Sequence, residues 1–276
     1  MKLALCNEVL RHLRFDQQCR FAAALGCTGL ELSPFTLADD PSTLTEADAR
    51  RLRATAAEHG LVISSLHWLL VKPEGLSIST SDSALHARTV SFLGRMIAFA
   101  AACGAQVLVH GSPQQRSPSP GQTAADALAR SEGAWARLAT PAAQHEVIYC
   151  IEPLSAAETP VLNTVAEAAA VVDRIGSPAI RTMLDLSAAS QSESEPPATV
   201  LARFLASGHI AHVQLNDRNR RGPGQGDTPV APVLRVLRAA GYAGWVALEP
   251  FDYHPDPVAC AAASAAYVRG VWEGLA

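Results

Sequence analysis

A (β/α)8 TIM barrel is the fold this sequence predicts, and three observations predict it. Eight short apolar runs recur along 276 residues, Ala-, Leu- and Arg-rich segments of helical period separate them, and polar residues gather where the runs end. Strands alternating with helices imply a parallel sheet, and about 250 residues is the usual size of such a barrel. The chain is therefore read as one domain over 1–276. A doubly wound open sheet is the rival; it wants a G-x-G-x-x-G turn after the first strand, and "CNEVLRHLR" from residue 6 contains none.

Taken in order, the runs are "KLALCN" from 2, "GLELSP" from 29, "LVISSLHWLL" from 61, "AQVLVHGSP" from 105, "EVIYCIEPLS" from 146, "AIRTMLDLS" from 179, "HIAHVQLND" from 209 and "GWVALEPF" from 244. Each is rich in Val, Ile and Leu and short enough for a buried strand. The helical segments "FDQQCRFAAALGC", "TEADARRLRATAAEHG" and "ALHARTVSFLGRMIAFAAACG" precede the second, third and fourth runs, and all three close on a glycine suited to a helix C-terminus. Thr45, followed by Glu46 and Asp48, has the side-chain oxygen and negative charge that suit an N-terminus. The polar, Pro-rich stretches 111–123 and 190–199 are read as long strand-to-helix loops.

The bulk numbers exclude several classes. A formal net charge of -4 with no block of like charges argues against a nucleic-acid surface. No apolar run approaches the roughly 18 residues of a membrane span, and the N-terminus turns polar too early for a secretory signal, so a cytoplasmic location is expected. Six scattered cysteines show no C-x-x-C spacing, which fits reduced, packed thiols better than zinc or disulfides.

In a barrel of this kind chemistry sits where strands run into the following loops. The last residues of the runs are Glu31, His67, His110, Glu152, Asp185, Gln214 and Glu249. Glu152, Asp185, Gln214 and Glu249 are separated by 33, 29 and 35 residues, about one strand-helix unit each, so closure brings all four to one rim. Three crowded carboxylates repel unless a cation sits among them, and oxygen donors suit Mn2+ or Mg2+, with Zn2+ or Co2+ less well matched. Glu31, His67 and His110 are read as substrate contacts at the same rim, with a satisfied structural histidine or, for Glu31, a hydrogen-bond anchor as the rival reading; Trp68 walls the cleft or, as is more common for Trp in such a place, is simply packed. His212 lies two residues before Gln214, on the same strand face and one layer deeper, and is grouped with the substrate-binding residues.

With those residues assembled, the chain resembles the xylose isomerase-like barrel superfamily of sugar isomerases and epimerases, over nearly its whole length. "IEPLSAAETPVLNT" from 151 is similar to the family's fifth strand, which implies Glu152 as a metal ligand and Glu158 as a substrate contact. "LDLS" from 184 implies Asp185 as ligand, "HVQLNDRNRRGPGQGD" from 212 implies Gln214 as ligand and Arg220 on the substrate, and "ALEPF" from 247 implies Glu249 as ligand and acid-base. Two positions depart from the pattern. The family's epimerases carry His where this chain has Gln214, and Gln is similar to the hydroxypyruvate and oxo-tetronate isomerase branch. Three residues after Asp185 the family usually places His, and here stands Ala188.

The resemblance implies a metal-dependent isomerase or epimerase of a small sugar, keto-sugar or sugar acid, working through a cis-enediolate, with Glu152 and Glu249 exchanging the proton on opposite sides of the reacting carbon. It also implies a dimer or tetramer. The same proton abstraction next to a leaving group gives a dehydratase of the inosose type, and a sugar-binding barrel without catalysis is the third reading.

Overall fold

Alternating inward and outward side chains make "KLALC" a strand. Ala4 and Cys6 face the barrel interior, with Trp245 and Ala247, while Leu3 and Leu5 join the apolar layer beneath the helices. This strand, β1 (Lys2–Cys6), is followed by β2 (Gly29–Leu32), β3 (Val62–Leu66), β4 (Val107–His110), β5 (Ile148–Ile151), β6 (Ile180–Asp185), β7 (Ile210–Leu215) and β8 (Trp245–Leu248). All pair in parallel, in sequence order, and β8 closes on β1. The structure, a computed structural model, describes residues 1–275. Its (β/α)8 barrel is the fold expected, with each strand inside its expected run.

The helices are α1 (Phe15–Ala24), α2 (Glu46–Glu58), α3 (Ser83–Cys103), α4 (Pro113–Arg116), α5 (Ala124–Gln144), α6 (Val165–Ile175), α7 (Leu186–Ser192), α8 (Pro197–Ala206), α9 (Val230–Ala239) and α10 (Pro257–Gly274). Thr45 caps α2 as its sequence implies: its hydroxyl accepts from Asp48 N–H, and the Asp48 carboxylate accepts from Thr45 N–H at 2.9 Å. Gly104 ends α3 at φ 82°, a left-handed conformation that favours glycine.

Two expected loops carry more structure than their composition suggests. Pro113 starts the single turn α4 inside 111–123, and 190–199 holds the end of α7 and the start of α8. Proline fixes φ for a first helical turn and costs no bond there, so Pro-rich stretches hide short helices from a composition reading.

The barrel floor is sealed. Trp245 packs its ring over Gly29, where a Cβ would stand 2.7 Å from the ring, and its indole N–H donates to Gln106 at 3.2 Å. Above it Val107, Val109, Cys150 and Met183 fill the interior, so functional groups are left only the strands' C-terminal end. The register of β6 against β7 shifts at Thr182/Met183, after which Asp185 lies directly beside Gln214. All six cysteines are free and buried, and no described helix is long and apolar enough to cross a membrane.

Candidate functional site

Strand parity decides which polar residues reach the rim. Cys150 and Met183 point inward, and so do Glu152 and Asp185 two residues on; likewise Ala247 carries Glu249 and His212 carries Gln214. The ladders extend to hold them, with Glu152 N–H donating to His110 C=O at 3.2 Å and Glu249 N–H to Leu215 C=O at 3.1 Å. Glycine makes room for one of them: a Cβ on Gly111 would overlap Glu152 Oε2.

Glu152, Asp185 and Glu249 are buried, and each brings an oxygen within 4.8 Å of the others'. Burial raises all three carboxyls, and each feels like charge: Glu249 and Asp185 push Glu152 well up, Asp185 and Glu8 push Glu249 well up, and Asp185 rises to about 6 even with bonds from Ala188 N–H and the Asn216 amide. Two acceptors at this cluster, Glu249 Oε2 and Gln214 Oε1, are buried without partners. Acceptors left open beside mutually repelling carboxylates are what a hard divalent cation satisfies, so the donor set fits Mn2+ or Mg2+.

A second buried layer orients these donors. Gln214 Nε2 donates to Glu31 Oε1 at 2.7 Å. Because an ionised carboxylate only accepts, this bond turns the amide NH2 down and its carbonyl oxygen up to the carboxylate cluster. Burial by itself would raise Glu31, but the His212 and His67 rings and the Ser65 hydroxyl outweigh it and hold the carboxyl below the usual range. His212 Nε2 lies 2.7 Å from Glu31 Oε2. His67 Nδ1 is 2.8 Å from Glu249 Oε1, and its Nε2 is 2.7 Å from Ser33 Oγ, which donates to Glu8. One oxygen of Glu249 is thereby held and the other left free. At Asp185 both oxygens are held, Oδ2 by the Asn216 amide at 2.6 Å and Oδ1 by Ala188 N–H at 2.7 Å.

Aromatic and charged side chains close the cleft above. Trp68 and Phe251 meet edge to face at 6.0 Å, the Arg220 guanidinium stacks 4.5 Å over Phe251, and Arg220 Nη1 lies 3.3 Å from Glu158 Oε1. Ser155 fastens the other Glu158 oxygen with its N–H and hydroxyl. The space between is only 20 Å3 and is bounded by Glu152, Glu158 and Glu249 among others, with 112–113 as one wall.

The structure thus brings Glu152, Asp185, Gln214 and Glu249 together and sets Glu158, Arg220 and Trp68 over them. It places four expected substrate contacts elsewhere. His110 is outward-facing, because Val107 and Val109 take the inward positions of β4; its Nδ1 accepts from Tyr149 at 2.5 Å and Trp135 at 3.4 Å under α5, and burial, with Arg116, lowers it to about 3. His212 and Glu31 lie in the layer below the rim, fully buried against each other, and His67 sits behind Glu249. Ala188 is buried on α7, its N–H bonded to Asp185 Oδ1 at 2.7 Å. Reading strand ends missed Glu8, Asn216 and Arg116, which lie in turns beyond the strands.

Residues 19–270 match the model of the xylose isomerase-like TIM barrel family. The chain belongs to that family. A probable ketose 3-epimerase of Synechocystis sp. is 26% identical over 225 residues, 78% of this chain and 73% of the relative. A putative hydroxypyruvate isomerase of Streptomyces coelicolor is 35% identical over 121 residues, 41% of each chain. The solved structure of an L-ribulose 3-epimerase superposes with a TM-score of 0.84 at 22% identity, covering 99% of this chain and 95% of the other, a likeness of fold.

Proposed function

We propose that this chain is a divalent-metal-dependent isomerase or epimerase that moves a proton next to the carbonyl of a small sugar, keto-sugar or sugar acid. The observation that carries the reading is the convergence of Glu152, Asp185 and Glu249 with the open oxygen of Gln214. When bound, Mn2+ or Mg2+ supplies Lewis acidity that makes the C–H beside a carbonyl easier to ionise. Three carboxylates against a divalent charge leave the site near -1.

The chain's own residues do the rest. Glu152 and Glu249 each keep a carboxylate oxygen toward the cleft, so one removes the proton and the other returns one, through an enediolate of the sugar. His67 fixes the free oxygen of Glu249 in direction by holding its mate at 2.8 Å. Arg220 and Glu158 orient substrate oxygens at the mouth, and Trp68 with Phe251 excludes water.

The test is a screen of ketoses and keto-acids with the Mn2+-loaded protein in deuterated water. Deuterium entering one carbon of the product is expected, and Glu152→Gln and Glu249→Gln each lower turnover about 10²- to 10⁴-fold. Turnover near wild type in both variants refutes the assignment, and a product lighter by water moves the reaction to the dehydratase class.

A further inference from the structure

Arg116 closes α4, the single turn after β4, and it is 0% exposed. Its Nε, Nη1 and Nη2 all lack a hydrogen-bond partner. A guanidinium carries five donors and stays charged, so burying it with none of them used is a costly arrangement, ordinarily relieved by an anion. The turn that carries it is fastened from both sides. Ile78 N–H and Ser77 Oγ donate to Gln115 C=O at 2.9 and 3.2 Å, Ser79 Oγ donates to Ser117 C=O at 2.8 Å, and Ser117 Oγ bonds Thr159 Oγ1 at 2.9 Å. Loops after β3 and β5 therefore hold the α4 turn in place.

The negative charges acting on Arg116 belong to Glu152 and Glu158, and neither bonds to it. Glu152 is committed to the cation site, and Glu158 already faces Arg220 and Ser155. Once both are engaged, one full positive charge remains on the turn that continues from the cleft-lining residues 111–113. We propose that Arg116 takes a carboxylate of the ligand, which makes the substrate a sugar acid or keto-acid in place of a neutral ketose. This deepens the proton-transfer reading and rests on it. A carboxylate matches the flat two-donor edge of a guanidinium, whereas a phosphate gathers several donors and this turn offers one free guanidinium.

Calorimetric titration of the Mn2+-loaded full chain with ribonate against ribitol, and gluconate against glucitol, tests the assignment without turnover. A charge-assisted pair predicts that each acid binds at least about tenfold tighter than its alcohol. Bound Mn2+ also attracts carboxylates, so the comparison that isolates the guanidinium is Arg116→Gln, expected to lose most of that preference, with Arg116→Lys keeping part of it. An undiminished preference in Arg116→Gln overturns the proposal, and so does tighter binding of fructose 6-phosphate than of either acid.

A second readout needs no ligand. Arg116→Met removes an uncompensated buried cation and is expected to melt no lower than wild type, while a marked fall makes Arg116 a structural brace and overturns the proposal. The two readings fail separately. Deuterium exchange into neutral ketoses with no preference for acids overturns the Arg116 assignment alone; an Arg116-dependent acid preference with no exchange into any ligand supports Arg116 and removes the epimerase reading.

Discussion

Mn2+ affinity is expected to fall with acidification, and Asp185 gives the size of one part of the fall. A carboxyl must give up its proton to bind a cation, so protons compete with the metal and affinity drops as pH falls through each raised carboxyl. Asp185 is pushed up to about 6 by burial. At about pH 7.5 it is almost wholly ionised; at about pH 5 it is protonated about ten to one, which costs about tenfold in affinity, or ~1.4 kcal/mol. Glu152 and Glu249 are raised well above the ordinary range in the same direction, so each steepens the fall further. Titrating Mn2+ into the protein at the two pH values gives the ratio directly, and Asp185→Asn is expected to shrink it by about the tenfold that Asp185 contributes. A flat profile, or affinity that rises as pH falls, refutes a cation held by these three carboxylates.

Three further outcomes follow from the geometry. Gly111→Ala drives a methyl group into Glu152 Oε2 and is expected to weaken Mn2+ binding about 10- to 100-fold, read by the same titration, while circular dichroism stays that of the wild type. Glu31→Gln removes the anion between His212 and Gln214 and is expected to cost about 3–5 kcal/mol in urea denaturation; a loss below about 1 kcal/mol contradicts the buried pairing. Gly29→Ala meets the Trp245 ring at the opposite end of the barrel, so about 1–3 kcal/mol of stability is lost with Mn2+ affinity unchanged.

The fold and the convergence of Glu152, Asp185, Gln214 and Glu249 are legible in the sequence for one reason: both depend on strands. Eight apolar runs name the strands, and the acids that end the fifth, sixth and eighth, with Gln214 on the seventh, are spaced by the repeat of the fold itself. His110 misleads because it also ends a run, yet Val107 and Val109 already occupy the inward parity of β4, leaving His110 to the helix layer. Counting parity back from each strand end separates it from Glu152. His67, His212 and Glu31 have the inward parity, and what spacing does not show is depth, since two residues along a strand keep the face and move a side chain about 6–7 Å, from substrate level to the layer beneath. Arg116 and Asn216 follow strands into turns, where neither period nor parity applies, and an arginine in "GSPQQRSPSP" looks like an ordinary solvated charge.

The backbone at Arg220 bears on how ligands enter and leave. Arg220 adopts φ 68°, and its carbonyl accepts from both Phe251 and Asp252 N–H at 2.8 Å, so the stretch that carries the guanidinium is stitched to the one that follows Glu249. That stitch holds the Arg220 backbone against the chain that follows β8. What remains free to move is the Arg220 side chain, 47% exposed, which leaves Glu158 and Phe251 by turning about its own bonds. Rotamer changes of exposed side chains take picoseconds to nanoseconds, against microseconds to milliseconds for collective motions, so the guanidinium over this cleft swings aside far faster than any backbone segment that carries it.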